Sequence, residues 1–131
     1  MVNILQVRIS SDELEVSDKL EAMFHLNEKL LRALGEPLEI NVDTREGQEK
    51  LRKLLWYTIE ELFEAVNALK NDREWVRTEY ELDRWRVYDE IADALGFFIT
   101  ICRYLGLDAK RLYEIYLRKF KVNMFRIESM Y

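Results

Sequence analysis

The chain has one cysteine, one proline, one histidine and only four glycines in 131 residues. A lone Cys102 cannot close an internal disulfide, which suits a reducing compartment, and its apolar neighbours make it a small core residue. With His25 as the only histidine and no second thiol, a zinc site of the usual nitrogen and sulfur ligands is excluded. The same shortage argues against a serine–histidine or cysteine–histidine nucleophile. The glycines are scattered and no G-K-[ST] follows any of them, so there is no glycine-rich phosphate loop. Few glycines and one proline also argue against a turn-rich β-sandwich and against disorder, and favour long helices with short connections. The longest apolar run, 94–102, is far short of the ~20 residues of a membrane span. The opening MVNILQVRISS lacks the three-part pattern of a secretory leader, so a cytoplasmic protein without a membrane partner is expected. A net charge of −5 gives no reason to expect nucleic acid as partner.

What is present is apolar and charged in helical order. At 15.9 kDa the chain is large enough for one core and too small for two, so residues 1–131 read as a single all-α domain. After a polar lead-in, SSDELEVSD, a first helix is expected from Ser17 or Asp18, with Glu21 completing a capping box, to Gly35. Leu51, Leu55, Thr58, Leu62, Val66 and Leu69 recur at three- and four-residue steps, predicting a second helix over about 45–70. Asn71 and Asp72 would cap a third, carrying Trp75 and Trp85. A fourth is expected over about 88–105, central because it is apolar nearly all round. Asp108 would cap a fifth over about 109–127, with Tyr113, Leu117, Phe120, Met124 and Ile127 as its core stripe. The expected architecture is a bundle of about five helices.

Two pairs of acids interrupt this pattern. Glu61 and Glu64 in EELFEAVN, and Glu90 and Asp93 in DEIAD, are each spaced i, i+3, which puts both carboxylates on one side of a helix. Packing the second and fourth helices side by side would converge all four in one cleft. Such a set suits magnesium, a hard ion that wants ~6 oxygen ligands. Asp93 is the sharper signal, because it stands in an apolar run where an unpaired carboxylate is costly. The competing readings are a solvated acidic face and an ion pair from Asp93 to Arg84, Arg86 or Arg103. On the fifth helix, Tyr116, Lys119, Asn123 and Arg126 share a face. Beside a metal its cations could meet phosphate oxygens; alone it reads as a solvated basic face.

EELFEAVN and DEIADALGFF together resemble the E-x-x-E … E-x-x-D signature of the all-α NTP pyrophosphatase superfamily. The tail YLRKFKVNMFR is similar to that of its dimeric dUTPase and phage dCTPase-dUTPase branch. The resemblance covers most of residues 20–131. It implies a MazG/dimeric-dUTPase-like helical fold, a homodimer, and magnesium-dependent hydrolysis of a nucleoside triphosphate, dUTP or dCTP, to the monophosphate and pyrophosphate. Glu61, Glu64, Glu90 and Asp93 would hold magnesium, with Glu61 or Glu64 as general base. His25, Asn27, Lys119, Asn123 and Arg126 would hold the nucleotide. Met23, Gly96 and Phe120 stand where the family has glutamine, histidine and asparagine, which bears on the base rather than on the metal. The alternatives are a MazG-like housecleaning enzyme of broader specificity and a non-catalytic helical interaction protein.

Overall fold

A computed structural model describes residues 4–69, 75 and 82–130. A 3-10 turn at Ile4–Gln6 precedes α1 (Ser11–Leu14), α2 (Lys19–Leu34), α3 (Arg45–Ala68), α4 (Arg84–Tyr104) and α5 (Ala109–Glu128). No strand occurs among the described residues, and none of their helices is long and apolar enough to cross a membrane. The all-α class therefore holds.

Helix starts follow from side chains that accept otherwise orphaned N–H groups. Asp18 accepts from the N–H of Glu21, Thr44 from Gly47, Asp83 from Arg86 and Asp108 from Arg111. At Asp18 only this half of the expected capping box forms; the full box is at Ser10 and Glu13, opening α1. The end of α2 is set by Gly35, whose φ of 70° is cheap only without a side chain. Gly47 has a different necessity: a Cβ there would fall 1.9 Å from the carbonyl oxygen of Asn41, so the 35–44 loop closes onto α3 only over a bare backbone.

The helix expected to follow Asn71 lies outside the described residues. Trp85 belongs to α4 instead, in edge-to-face contact with Tyr88 at 5.6 Å, so α4 starts four residues earlier than the periodicity indicated. Asp83 sets that start as an N-cap.

The α3 and α4 helices form an antiparallel hairpin. Lys50 lies over the Tyr104 ring, and Tyr57 lies against Phe97 at 5.6 Å. Each pair of residue numbers sums to 154, the mark of two helices running in opposite directions. The second half of α4 carries the core: Phe24, Ile99, Cys102 and Ala109 cluster together, with Leu20, Leu107 and Leu112 around them. Arg103 ties α2 to this half, donating through Nε to Asn27 Oδ1 (3.1 Å) and through Nη2 to the carbonyl of Phe24 (2.7 Å). Tyr104 donates to the carbonyl of Pro37 (2.8 Å), fixing the loop.

Two expectations about burial fail. The first half of α4 is not enclosed: Tyr88, Ile91, Leu95 and Phe98 are exposed, so α4 is central only toward its C-terminal end. The fifth-helix stripe Tyr113, Leu117, Phe120, Met124 and Ile127 is exposed throughout. Only the start of α5 packs, through Ala109 and Leu112, and the rest extends past the hairpin, where the described residues offer nothing to cover it.

Candidate functional site

The hairpin register decides what meets what. Glu61 and Glu64 project from α3 toward the partner helix one and two turns beyond Tyr57, and Glu90 and Asp93 stand opposite them on α4. One carboxylate oxygen each from Glu61, Glu64 and Glu90 lies within 4.8 Å of the other two. Glu61 and Glu90 are half-buried, and Glu64 is exposed. Oε2 of Glu61 is buried without a hydrogen-bond partner among the described residues.

Crowding like charges raises the proton affinity of the set. Glu90 is pushed up to about 7, first by its approach to Glu64, then by burial and by Glu61. Burial raises Glu61, contact with Glu90 opposes this, and the charges of Glu64 and Asp93 add to the rise. Partial loss of water raises Asp93, with Asp89 and Glu64 acting in the same direction.

Asp93 itself is not where the apolar run put it. It is exposed, on the wall of an open cleft, and stands outside the tight group of three. An apolar run signals burial only where neighbours enclose the helix, and among the described residues this half of α4 is packed chiefly by α3. No ion pair from Asp93 to Arg84, Arg86 or Arg103 forms among the described residues; Arg103 is committed to Asn27 and Phe24.

The cleft is about 800 Å³, within the range of small-molecule sites. Glu61 and Asp93 line its acidic end and Tyr57 and Phe97 its middle. Lys50 and Lys53 are on the α3 wall, while Leu30, Leu31 and Leu34 supply an aliphatic wall from α2. Lys50 also meets Glu36 at 3.1 Å.

The other expected residues divide. Asn27 lines the cleft and is buried, but its amide is spent on structure, donating to Thr100 Oγ1 (2.9 Å) while accepting from Arg103. His25 is on the surface, paired with Glu21 one turn earlier at 3.1 Å, and does not line the cleft. A position two residues before Asn27 lies ~200° round α2 from it, which turns His25 outward. Lys119, Asn123 and Arg126 are exposed on the projecting part of α5 and are not brought to the cleft within one chain.

Lys50, Lys53, Tyr57 and Phe97 were not read as site residues from the sequence. A signal existed: Tyr57 lies four residues before Glu61 and Phe97 four after Asp93, so each ring shares a face with a carboxylate. Chemically, the arrangement is a place for a hard cation beside a cleft lined in its middle by two aromatic rings in contact. An oxygen with no donor in reach, among carboxylates that otherwise need shared protons, is what a divalent ion would satisfy. Comparison of the chain with family models, curated proteins and solved structures finds no match in any of the three.

Proposed function

We propose that the protein is a magnesium-dependent nucleoside triphosphate pyrophosphohydrolase, acting on dUTP or dCTP. The observation that carries this is the convergence of Glu61, Glu64 and Glu90, with Asp93 beside them, at one end of a cleft that also carries the rings of Tyr57 and Phe97. The two i, i+3 acid pairs fall on two antiparallel helices facing each other, which supports this reading.

Magnesium held by Glu61, Glu64, Glu90 and Asp93 would neutralise phosphate charge and lower the pKa of a bound water. The chain's own part is to take a proton and to hold the substrate. Glu61 or Glu64 accepts the proton as water attacks the α-phosphorus; the bond to the bridging oxygen breaks and pyrophosphate leaves. Tyr57 and Phe97, one helical turn from the acids, are placed to stack on the nucleoside. Lys50 and Lys53 are the cations on the cleft wall. Asn27 holds the wall through Thr100 and Arg103, a positioning role.

One observation favours the broader, MazG-like reading. The α2 wall of the cleft is aliphatic, and its one amide, Asn27, is already engaged, so little remains to read the edge of a base. Pyrophosphate release from a panel of deoxy- and ribonucleoside triphosphates with magnesium decides between them. A strong preference for dUTP or dCTP supports the dUTPase branch, and activity spread over several bases supports housecleaning. No release from any of them, with no thermal stabilisation by magnesium, refutes the hydrolytic reading and favours the interaction protein.

A further inference from the structure

Glycine is the poorest helix former after proline, so one in a helix interior calls for a physical reason. Gly96 stands in the interior of α4. Two common reasons are met at the other glycines: a left-handed backbone at Gly35 and Gly106, and a close backbone approach at Gly47. Neither holds at Gly96. Its φ is not positive, and outside its own stretch of helix a Cβ there would meet no atom of the described residues within 4 Å.

The open space is on the cleft side. The α4 residues that line the cleft are Ala92, Asp93, Gly96, Phe97, Thr100 and Tyr104. At about 100° per residue they fill an arc of about 140°, and Gly96 lies inside it, about 60° round from Asp93. Phe97, the next residue, holds the Tyr57 ring at the same level. The backbone here has no hydrogen-bonding capacity to spare. The Gly96 carbonyl accepts from Thr100 Oγ1 (3.1 Å) and from Asn27 Nδ2 (3.5 Å), which uses both of its lone pairs. A ligand therefore meets this turn by van der Waals contact alone.

We propose that Gly96 is a specificity-determining residue: the nucleoside lies with a ring face on the bare turn of α4, and the cleft selects there by fit rather than by reading base edges. This rests on the hydrolytic reading of the cleft. Phosphates held at the acids fix one end of the substrate, so the nucleoside runs along the cleft away from Glu61 and Asp93. Gly96 is the first cleft residue of α4 on that path. Any side chain there would hold the rings off the helix by at least the thickness of a methyl group.

Gly96→Ala in the full chain tests this. Alanine forms helix better and meets nothing, so the melting temperature should hold or rise. KM for the preferred triphosphate should rise about 10-fold or more with a smaller change in kcat, the worth of one methyl in a fitted pocket. The loss should be larger for the bulkier of the bases that the wild-type chain accepts. Inhibition by dUMP, which carries the nucleoside, should weaken by a similar factor, whereas inhibition by inorganic pyrophosphate, which has none, should not. An unchanged KM, a loss equal for every base, an equal loss of pyrophosphate inhibition or a lowered melting temperature overturns the proposal. Failure of the hydrolytic reading looks different: the wild-type chain itself then releases no pyrophosphate from any triphosphate, and this inference falls with it.

Discussion

Removing magnesium should reverse the way stability depends on pH. Glu90 titrates near 7 in the folded chain against 4.5 unfolded. A carboxyl raised on folding contributes stability that is complete below about 4.5 and is lost as pH climbs through about 7. Glu61 and Asp93 are raised too and act with the same sign. The difference between 4.5 and about 7, at ~1.36 kcal/mol per pH unit, sets a ceiling of about 3 kcal/mol for Glu90. Solvent at the rim of the cluster screens this to the order of 1 kcal/mol, or a melting shift of roughly 3–5 °C for a chain of this size. In EDTA, the melting temperature followed by circular dichroism should fall by that amount between pH 5 and pH 8.5. Glu90→Gln should flatten the fall, which separates it from general repulsion in a chain of net charge −5. In millimolar magnesium the trend should invert, because the ion binds only deprotonated carboxylates and stabilises more as pH rises. A metal-free melting temperature that is flat or rising over this range would refute the crowded-carboxylate argument.

Asp93→Ala should lower hydrolysis by about 100-fold or more while changing stability by under ~0.5 kcal/mol, since the side chain is exposed and unpaired; steady-state kinetics and urea unfolding check both. Tyr57→Ala should raise KM by about 10-fold with little change in kcat, the worth of one stacked ring, read from initial rates with the preferred triphosphate. Arg103→Met should cost about 2–3 kcal/mol in chemical denaturation, because the carbonyl of Phe24 and the amide oxygen of Asn27 lose their donor. Gly47→Ala should cost about 2 kcal/mol in the same assay, as a methyl cannot enter beside Asn41 without moving the loop.

Local chemistry made much of this structure legible in the sequence. Asp18, Gly35 and Asp108 announced their helix boundaries because capping is decided within four residues. The carboxylate pairs could be placed because i, i+3 spacing fixes a face before any partner is known. Asp83 is not legible as a cap from the periodicity, since Trp85 fits the preceding helical segment as well as α4. Asp93 was misjudged for a deeper reason: an apolar run records which side chains avoid water, not whether this chain or another one shields them. The α5 stripe Tyr113–Ile127 fails in the same way. His25, expected with Asn27 at the nucleotide, turns to the surface because a two-residue step on a helix separates side chains rather than joining them. The necessity of Gly47 was invisible, since it depends on a loop carbonyl that meets α3 only after the chain has turned back.

The carboxylates stand near the connected end of the hairpin, Glu64 one turn before α3 ends at Ala68 and Glu90 in the second turn of α4. Helix ends are where backbone amides fray first. A cation shared between the two helices there would therefore act as a clasp on the pair, holding turns that the core at Ile99 and Cys102 does not reach. Loading the ion and ordering these two helix ends become one event. Amides near Glu64 and Glu90 would then exchange with deuterium as a single unit, quickly without metal and slowly with it, while those of the buried half of α4 would stay unchanged.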